Sequence, residues 1–448
     1  MRRLRRPTGG LWGHPDFLKL WTGQSISEFG SQISALAIPW LAAVNLHASP
    51  LEFSLIGMLG FLPFILFALP AGVWVDRLRR RPILIVGDAG RAVLLAYIPL
   101  AWAFGILDMA QLLVLQFLIG IFTVFFDVAY QSYLPSLVER EQIVEGNSKL
   151  QTTVSAANIA GPGLAGALIA ALTAPYAIAF DAVSFVLSTA FMLPIRAKEN
   201  LPERKEGAPT PKMLPELKEG VAYVVRHRYL KWIAMCTGTS NFFGQIAFAI
   251  VVLYMARTLH LSSFWAGFVF VGFGVGSIAA ALTTTRFQKA VGVGRAIWIP
   301  AVFFSFATFL FPLAPKSFPI PVMFAGTLVF GWAGMTYNIT QVSLRQAITP
   351  ERIQGRMNAT MRWIVWGTIP LGTITGGAIA TAYGIRTALW VGAIGGMFTF
   401  LPVLLSPVRA IQEMPKPVDE PLPMEADAAG GVVEPTTSPL AGTAPADA

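Results

Sequence analysis

Few side chains in this 448-residue chain could do chemistry, and those few stand among apolar neighbours. Glu28 sits between Gln24 and Gln32, Asp88 lies three residues before Arg91, and Asp127 and Asp181 interrupt otherwise apolar runs. A carboxyl kept from water can take up and release a proton, so Glu28 and then Asp181 are the candidates for proton or cation coupling. The plainer alternatives are a helix-to-helix hydrogen bond for Glu28, with Gln24 or Gln32 one turn away, and a capping role for Asp181. Asp88 and Arg91 read as a local ion pair. Nothing points to an enzyme, a cofactor or a metal. The single cysteine, Cys236, excludes an internal disulfide, and His14, His47, His227 and His260 are scattered over terminal and loop positions. No Gly-x-x-x-x-Gly-Lys-Ser/Thr loop is present, and no nucleophile has a neighbouring base.

The elements that carry these residues follow from composition. Apolar residues make up 54% of the chain, charged residues 13%, and the mean hydropathy is +0.60. Ordinary soluble chains carry about 25% charged residues. The apolar residues come in blocks of about 20, the length that crosses a bilayer core about 30 Å thick. The expected fold is all-α and membrane-integral, with twelve transmembrane helices at 18–44, 52–74, 82–104, 108–133, 151–172, 175–195, 230–256, 264–286, 295–314, 318–343, 357–382 and 386–405. Glu28 then lies roughly 15 Å into the first span, near the midplane, and Asp181 nearer the outer face. The net charge of +9 is concentrated in alternate inter-helix loops, which is the positive-inside pattern and not a nucleic-acid face. Both termini are therefore expected in the cytoplasm of a cell-membrane protein. The basic start at Arg2, Arg3, Arg5 and Arg6 precedes an apolar run too long for a signal core, so that run is expected to be the first span.

The domain plan is a basic N-terminus at 1–17, a six-helix half at 18–195, a linker at 196–229, a second half at 230–405 and a tail at 406–448. Leu214 to His227 shows helical spacing between charges, the pattern of an amphipathic helix at a membrane surface. The tail is rich in Pro, Ala, Gly and acids, and is expected to be disordered. Gln131-Ser-Tyr-Leu134 through Asn147 recurs as Gln341-Val-Ser-Leu344 through Asn358, so the halves read as parallel repeats with a path between them near the midplane.

One charged turn, Gly72-Val-Trp-Val-Asp76-Arg77-Leu-Arg79-Arg80-Arg81-Pro82, joins the second and third spans. It resembles motif A of the major facilitator superfamily, Gly-x-x-x-Asp-Arg-x-Gly-Arg-Arg. Gly72, Asp76, Arg77, Arg80 and Arg81 match, and Arg79 stands where the family usually has Gly. The resemblance implies that Gly72 lets two helices approach, that Asp127 pairs with Arg80, and that Asp76 faces Arg362 at the start of the eleventh span. Such contacts would latch an outward-open state. The second half's counterpart, Ala281 to Lys289, keeps Arg286 but lacks the Asp. In the fifth span Gly161, Pro162 and Gly166 resemble the antiporter motif Gly-x-x-x-Gly-Pro-x-x-Gly-Gly, which implies export; a simple packing seam is the plainer alternative. Gly367, Pro370, Gly372, Gly376 and Gly377 repeat the idea in the eleventh span. Gly23 to Ser27, Leu134 to Val138 and Asp181 to Phe185 resemble the bacterial macrolide and siderophore exporter subgroup. One departure is Gln116, which stands where proton-coupled drug antiporters usually carry Arg. The implied function is secondary active export of an amphipathic, hydrophobic or weakly cationic small molecule by alternating access, with protons as coupling ion and the protein as a monomer. A nutrient importer, an uncoupled facilitator and a non-transporting receptor or scaffold are the alternatives.

Overall fold

A computed structural model of the chain describes residues 10–75, 78–196, 199 and 213–415. The first half contains α1 (Pro15–Trp40), α2 (Pro50–Val75), α3 (Arg80–Ala103), α4 (Met109–Leu137), α5 (Ile143–Leu172) and α6 (Ala174–Met192). After α7 (Met213–Arg226) come α8 (Leu230–Phe248) and α9 (Val251–Arg257), α10 (Ser263–Val291), α11 (Arg295–Leu313), α12 (Pro319–Ile348), α13 (Glu351–Tyr383), α14 (Ile385–Gly396) and α15 (Leu401–Leu404). Short breaks separate α8 from α9 and α14 from α15, and each pair serves as one span. Among the described residues, 11 helical segments are long and apolar enough to cross a membrane. The twelfth, α1, has the length at 26 residues. Its hydropathy is lowered by Gln24, Ser25, Ser27, Glu28, Ser31, Gln32 and Ser34. That polarity is explained by what α1 faces.

Helix pairing repeats between the halves. In the first, α1 packs on α5 and α6, α2 on α4, and α3 on α4 and α6; in the second, α8 packs on α13 and α14, α10 on α12, and α11 on α12 and α14. Between the halves α5 runs along α10 and α2 along α13, which are again equivalent pairs. The turns repeat as well. His47, which follows a π-helical turn (Leu41–Asn45) that continues α1, and His260, just past α9, both have φ 52. In each turn the residue before the histidine bonds back to a carbonyl five residues earlier, Leu46 to Leu41 at 2.9 Å and Leu259 to Tyr254 at 3.1 Å. These histidines end helices in the left-handed conformation. Thr173 (φ 72) and Gly384 (φ 92) occupy another equivalent pair of turns, one strained by a β-branched side chain and the other relieved by glycine.

The halves touch at one end of the bundle and part at the other. A Cβ on Gly166 would lie 2.6 Å from the Ser263 carbonyl oxygen, one on Gly274 would lie 2.8 Å from Ile159 Cα, and one on Gly57 would lie 3.3 Å from Thr373 Cγ2. Arg257 at the end of α9 donates two hydrogen bonds to the Ala43 carbonyl, at 3.0 and 2.7 Å, tying the second half to the end of α1. Glycine permits such backbone proximity between membrane helices. At the opposite end, where α3 begins and α12 ends, a Cβ on Gly72 or Gly355 would meet nothing within 4 Å among the described residues. The close helix approach expected at Gly72 is therefore not seen among the described residues.

The linker's amphipathic segment is the helix α7, packed on α13 and α8. Gly220 lies against the Arg356 carbonyl oxygen, 3.0 Å from where a Cβ would stand, and Arg356 pairs with Glu219 at 2.6 Å. The start of the tail is also held, since Val293 and Gly294 donate to the carbonyls of Gln412 and Ile411 at 3.1 and 2.7 Å. The expected disorder thus begins no earlier than that contact, and residues 416–448 lie outside the described residues.

Candidate functional site

Between the halves lies a cavity of about 930 Å³. The first half contributes its charged groups, Arg91 and Asp181, with Gln32, Ser34, Gln116 and Asn158, set among apolar residues such as Leu36, Ile38, Phe53 and Leu95. Gln32 donates to Asn158 Oδ1 at 2.8 Å, linking α1 to α5. From the second half come Phe248, Phe270, Phe273, Phe304 and Phe330, with Asn241, Gln245 and Asn338 between them. The rings pack on each other, Phe304 to Phe330 at 4.1 Å and Phe248 to Phe330 at 5.2 Å between centroids. A largely apolar cavity with a ring cluster on one side and its charged groups on the other suits a solute with an apolar body and a few polar groups.

The first half's polar groups are organised by Arg91. Its guanidinium forms an ion pair with Asp88 and lies 4.2 Å from the ring centroids of both Phe126 and Phe185. Asp88 also accepts from Ser188 Oγ at 2.6 Å, which ties α3 to α6. Spacing alone had marked this as a local pair. The structure adds that Asp88 is fully buried and Arg91 nearly so at the edge of the cavity, sandwiched and held by residues distant in sequence. A desolvated cation between two rings gains about 2 kcal/mol from them, and removing one partner of such a buried pair costs about 3–5 kcal/mol.

Asp181 is 1% exposed and accepts from Ser184 Oγ at 3.1 Å. It lies within α6 and lines the cavity, so the capping alternative falls. Gly30 of α1 makes room for it, since a Cβ there would lie 2.6 Å from Asp181 Oδ1. Glu28 is half-buried and within range of the charges of Asp127 and Arg91, but it is not on the cavity wall. Asp127 stands well inside α4, facing the charge of Arg91. Its expected partner, Arg80, lies at the start of α3, whereas the charge that Asp127 faces is that of Arg91.

At the charged turn, Asp76 and Arg77 lie outside the described residues, so the expected contact between Asp76 and Arg362 does too. Arg362 itself stacks over Trp366, with Cζ 5.4 Å from the ring centroid. Arg80 and Arg81 bond to the linker and to the first half, not to the second. The backbone N–H groups of Arg80 and Arg81 donate to Glu199 Oε2 and Oε1 at 2.6 and 2.8 Å, placing a carboxylate at the N-terminus of α3. The Arg81 side chain donates to the carbonyls of Met192 and Leu193, closing the C-terminus of α6. Glu199 sits in the linker, and no local pattern could have found it.

The glycines of the fifth span serve packing twice over. A Cβ on Gly161 would strike the Gln32 side chain on α1, and one on Gly166 would strike α10 across the seam. In α13, a Cβ on Gly372 would strike the Phe242 carbonyl of α8, and one on Gly377 would lie 2.5 Å from Ser54 Oγ of α2. Each span thus has glycines against its own half and against the other. Pro162 lines the cavity beside this seam.

Residues 12–433 match the family described as transmembrane secretion effectors. The chain belongs to this family. It is accordingly a major facilitator membrane transporter and not an enzyme. Among similar proteins, the MFS-type transporter YfiS of Bacillus subtilis is 27% identical over 391 residues, covering 84% of this chain and 89% of the relative. The multidrug efflux pump Tap of Mycolicibacterium fortuitum is 26% identical over 398 residues (85% and 91%), and the enterobactin exporter EntS of Salmonella paratyphi A is 25% identical over 402 (86% and 87%). Among solved structures, the nucleoside transporter NupG superposes with a TM-score of 0.68 at 14% identity, over 87% of this chain and 98% of that one. A bacterial homologue of the iron transporter ferroportin in its inward-facing state superposes with a TM-score of 0.64 at 15% identity (87% and 98%). These two establish the fold alone.

Proposed function

We propose that the chain exports an amphipathic small molecule across the cell membrane by rocking its two halves around the central cavity, in exchange for protons. The observation that carries this reading is the cavity, gathered at one end by the α5–α10 and α2–α13 seams and open at the other. With both termini in the cytoplasm, as the positive-inside pattern argues, the open end faces inward and this conformation loads substrate from the cell. Tap and EntS, an efflux pump and an exporter by name, support the outward direction.

Asp181 and Glu28 are proposed as the proton-binding groups, with Asp181 foremost because it lies on the cavity wall beside Arg91. Four carboxylates, Glu28, Asp88, Asp127 and Asp181, share the field of this one guanidinium. So many buried negative charges around one positive charge cannot all stay ionised without large cost. In the outward-open state Asp76 would meet Arg362 and the start of α13, and rocking would break that latch. The deciding experiment is retention of amphipathic antibiotics, dyes and iron chelators in cells with and without the protein, with and without an uncoupler. Lower retention that the uncoupler abolishes supports proton-driven export, and higher retention overturns it. Gln116 in place of the usual arginine favours uncoupled facilitation as the second reading, which would appear as flux indifferent to the uncoupler.

A further inference from the structure

The central cavity continues past Ser240, Asn241 and Asn338 into a vestibule of about 520 Å³ near the open end. Arg345 of α12 and Arg362 of α13 both line it, with Tyr337, Gln341 and Asn358, and no carboxylate is among the described residues of its wall. Arg345 is half-buried. Its Nε is shut off from solvent with no hydrogen-bond partner, and its Nη2 reaches Asn358 Oδ1 at a long 3.5 Å. Arg91, Arg356 and Arg257 are satisfied by Asp88, Glu219 and the Ala43 carbonyl. Arg80 Nε is likewise buried without a partner, but Arg80 lines neither the cavity nor the vestibule. A partly desolvated cation without an anion is costly, and an incoming anion would offset that cost. Arg362 adds a second positive charge on the same wall.

We propose that this vestibule is an oxyanion-binding site. On the export reading above, it takes a carboxylate, sulfonate, phosphate or phenolate on the substrate, whose apolar body then lies against Phe304 and the ring cluster. The preferred substrate is therefore an amphipathic anion, where the sequence had suggested a hydrophobic or weakly cationic one. A phospholipid headgroup offers the same chemistry.

The test uses the full chain in nanodiscs of zwitterionic lipid and reads binding without flux. The probe is anilinonaphthalene sulfonate, with its uncharged parent phenylnaphthylamine as control. Arg345→Gln is expected to weaken the sulfonate probe about tenfold or more and leave the uncharged one unchanged. Arg345→Lys should lose less, and inorganic phosphate should displace the sulfonate from the wild type. Equal sulfonate affinity in wild type and Arg345→Gln overturns the site, as does equal loss of both probes. Should Arg345→Gln fail to fold, the phosphate competition decides: no displacement overturns the site. Adding phosphatidylglycerol separates the sources. Displacement of the probe gives the site to lipid headgroups and overturns its assignment to substrate, whereas indifference supports the substrate. If the probe binds through Arg345 but no solute moves, the site stands and the export reading falls. If export proceeds with no role for Arg345, the reverse holds.

Discussion

Replacing Gly166 with alanine puts a methyl group into the seam between α5 and α10. The new Cβ would lie 2.6 Å from the Ser263 carbonyl oxygen and 3.1 Å from Gly267 Cα. Both are backbone atoms of α10 and cannot turn aside, so the helices must separate. Overpacking of this kind costs about 1–3 kcal/mol. Alanine is also the better helix former by up to ~1 kcal/mol, but α5 is helical whichever way the halves are tilted, so that gain cancels between conformations. What remains acts against the state in which the seam is closed, shifting the equilibrium roughly 5- to 150-fold toward the parted state. Spin labels on Ala170→Cys and Ser262→Cys, exposed positions flanking the contact, in a Cys236→Ala background, report the separation by double electron–electron resonance. Gly166→Ala should move the distance distribution outward. An unchanged distribution in a variant that melts like its parent would refute the reasoning and leave Gly166 with a role other than closing the seam.

Other perturbations follow from the same geometry. Asp88→Asn leaves Arg91 without its direct partner between Phe126 and Phe185. The melting temperature should drop by an amount equivalent to the lower end of ~3–5 kcal/mol, because Asp127 and Asp181 remain in Arg91's field; a loss under ~1 kcal/mol would count against the pair's structural weight. Arg257→Gln removes two hydrogen bonds to Ala43 and should likewise lengthen the spin-label distance, by the effect of about 1.5–3 kcal/mol; an unchanged distance would mean that this tie does not hold the end shut. Thr173→Gly relieves a β-branched residue at φ 72 and should leave stability equal or raise it by up to ~2 kcal/mol, read by thermal melting, with a clear loss contradicting the strain. Glu219→Gln should cost under ~1 kcal/mol because the ion pair with Arg356 is partly exposed, whereas Gly220→Leu should free α7 from α13 and expose it to limited proteolysis; equal protection in both would contradict the packing.

Much of this architecture was legible in residue order. Apolar block length located the helices, charge asymmetry set a proposed orientation, and the Gln131 and Gln341 repeat foretold two halves, which helix pairing bears out. The amphipathic pattern of Leu214 to His227 became α7. What escaped was non-local. The ion pair of Asp88 and Arg91 follows from a three-residue spacing, but Phe126, Phe185 and Ser188, which enclose it, come from other helices. The pairing of Asp127 with Arg80 rests on analogy, while the proximity of Asp127 to Arg91 joins α4 to α3 and has no local signal. Gly72 meets no described neighbour, which a motif match alone does not foretell. The turns at His47 and His260 share the pattern Leu-His-x, a repeat signal too short to notice before their shared φ was seen. Arg345 looked like one more inward-loop charge until its buried Nε was found without a partner.

Alternating access through the central cavity is tested most directly by locking the closed end. In proteoliposomes, the Ala170→Cys and Ser262→Cys pair, bridged across α5 and α10 by a reducible bifunctional reagent in the Cys236→Ala background, should stop flux of an amphipathic probe, and reduction should restore it. Flux that continues undiminished with the bridge in place would contradict the account.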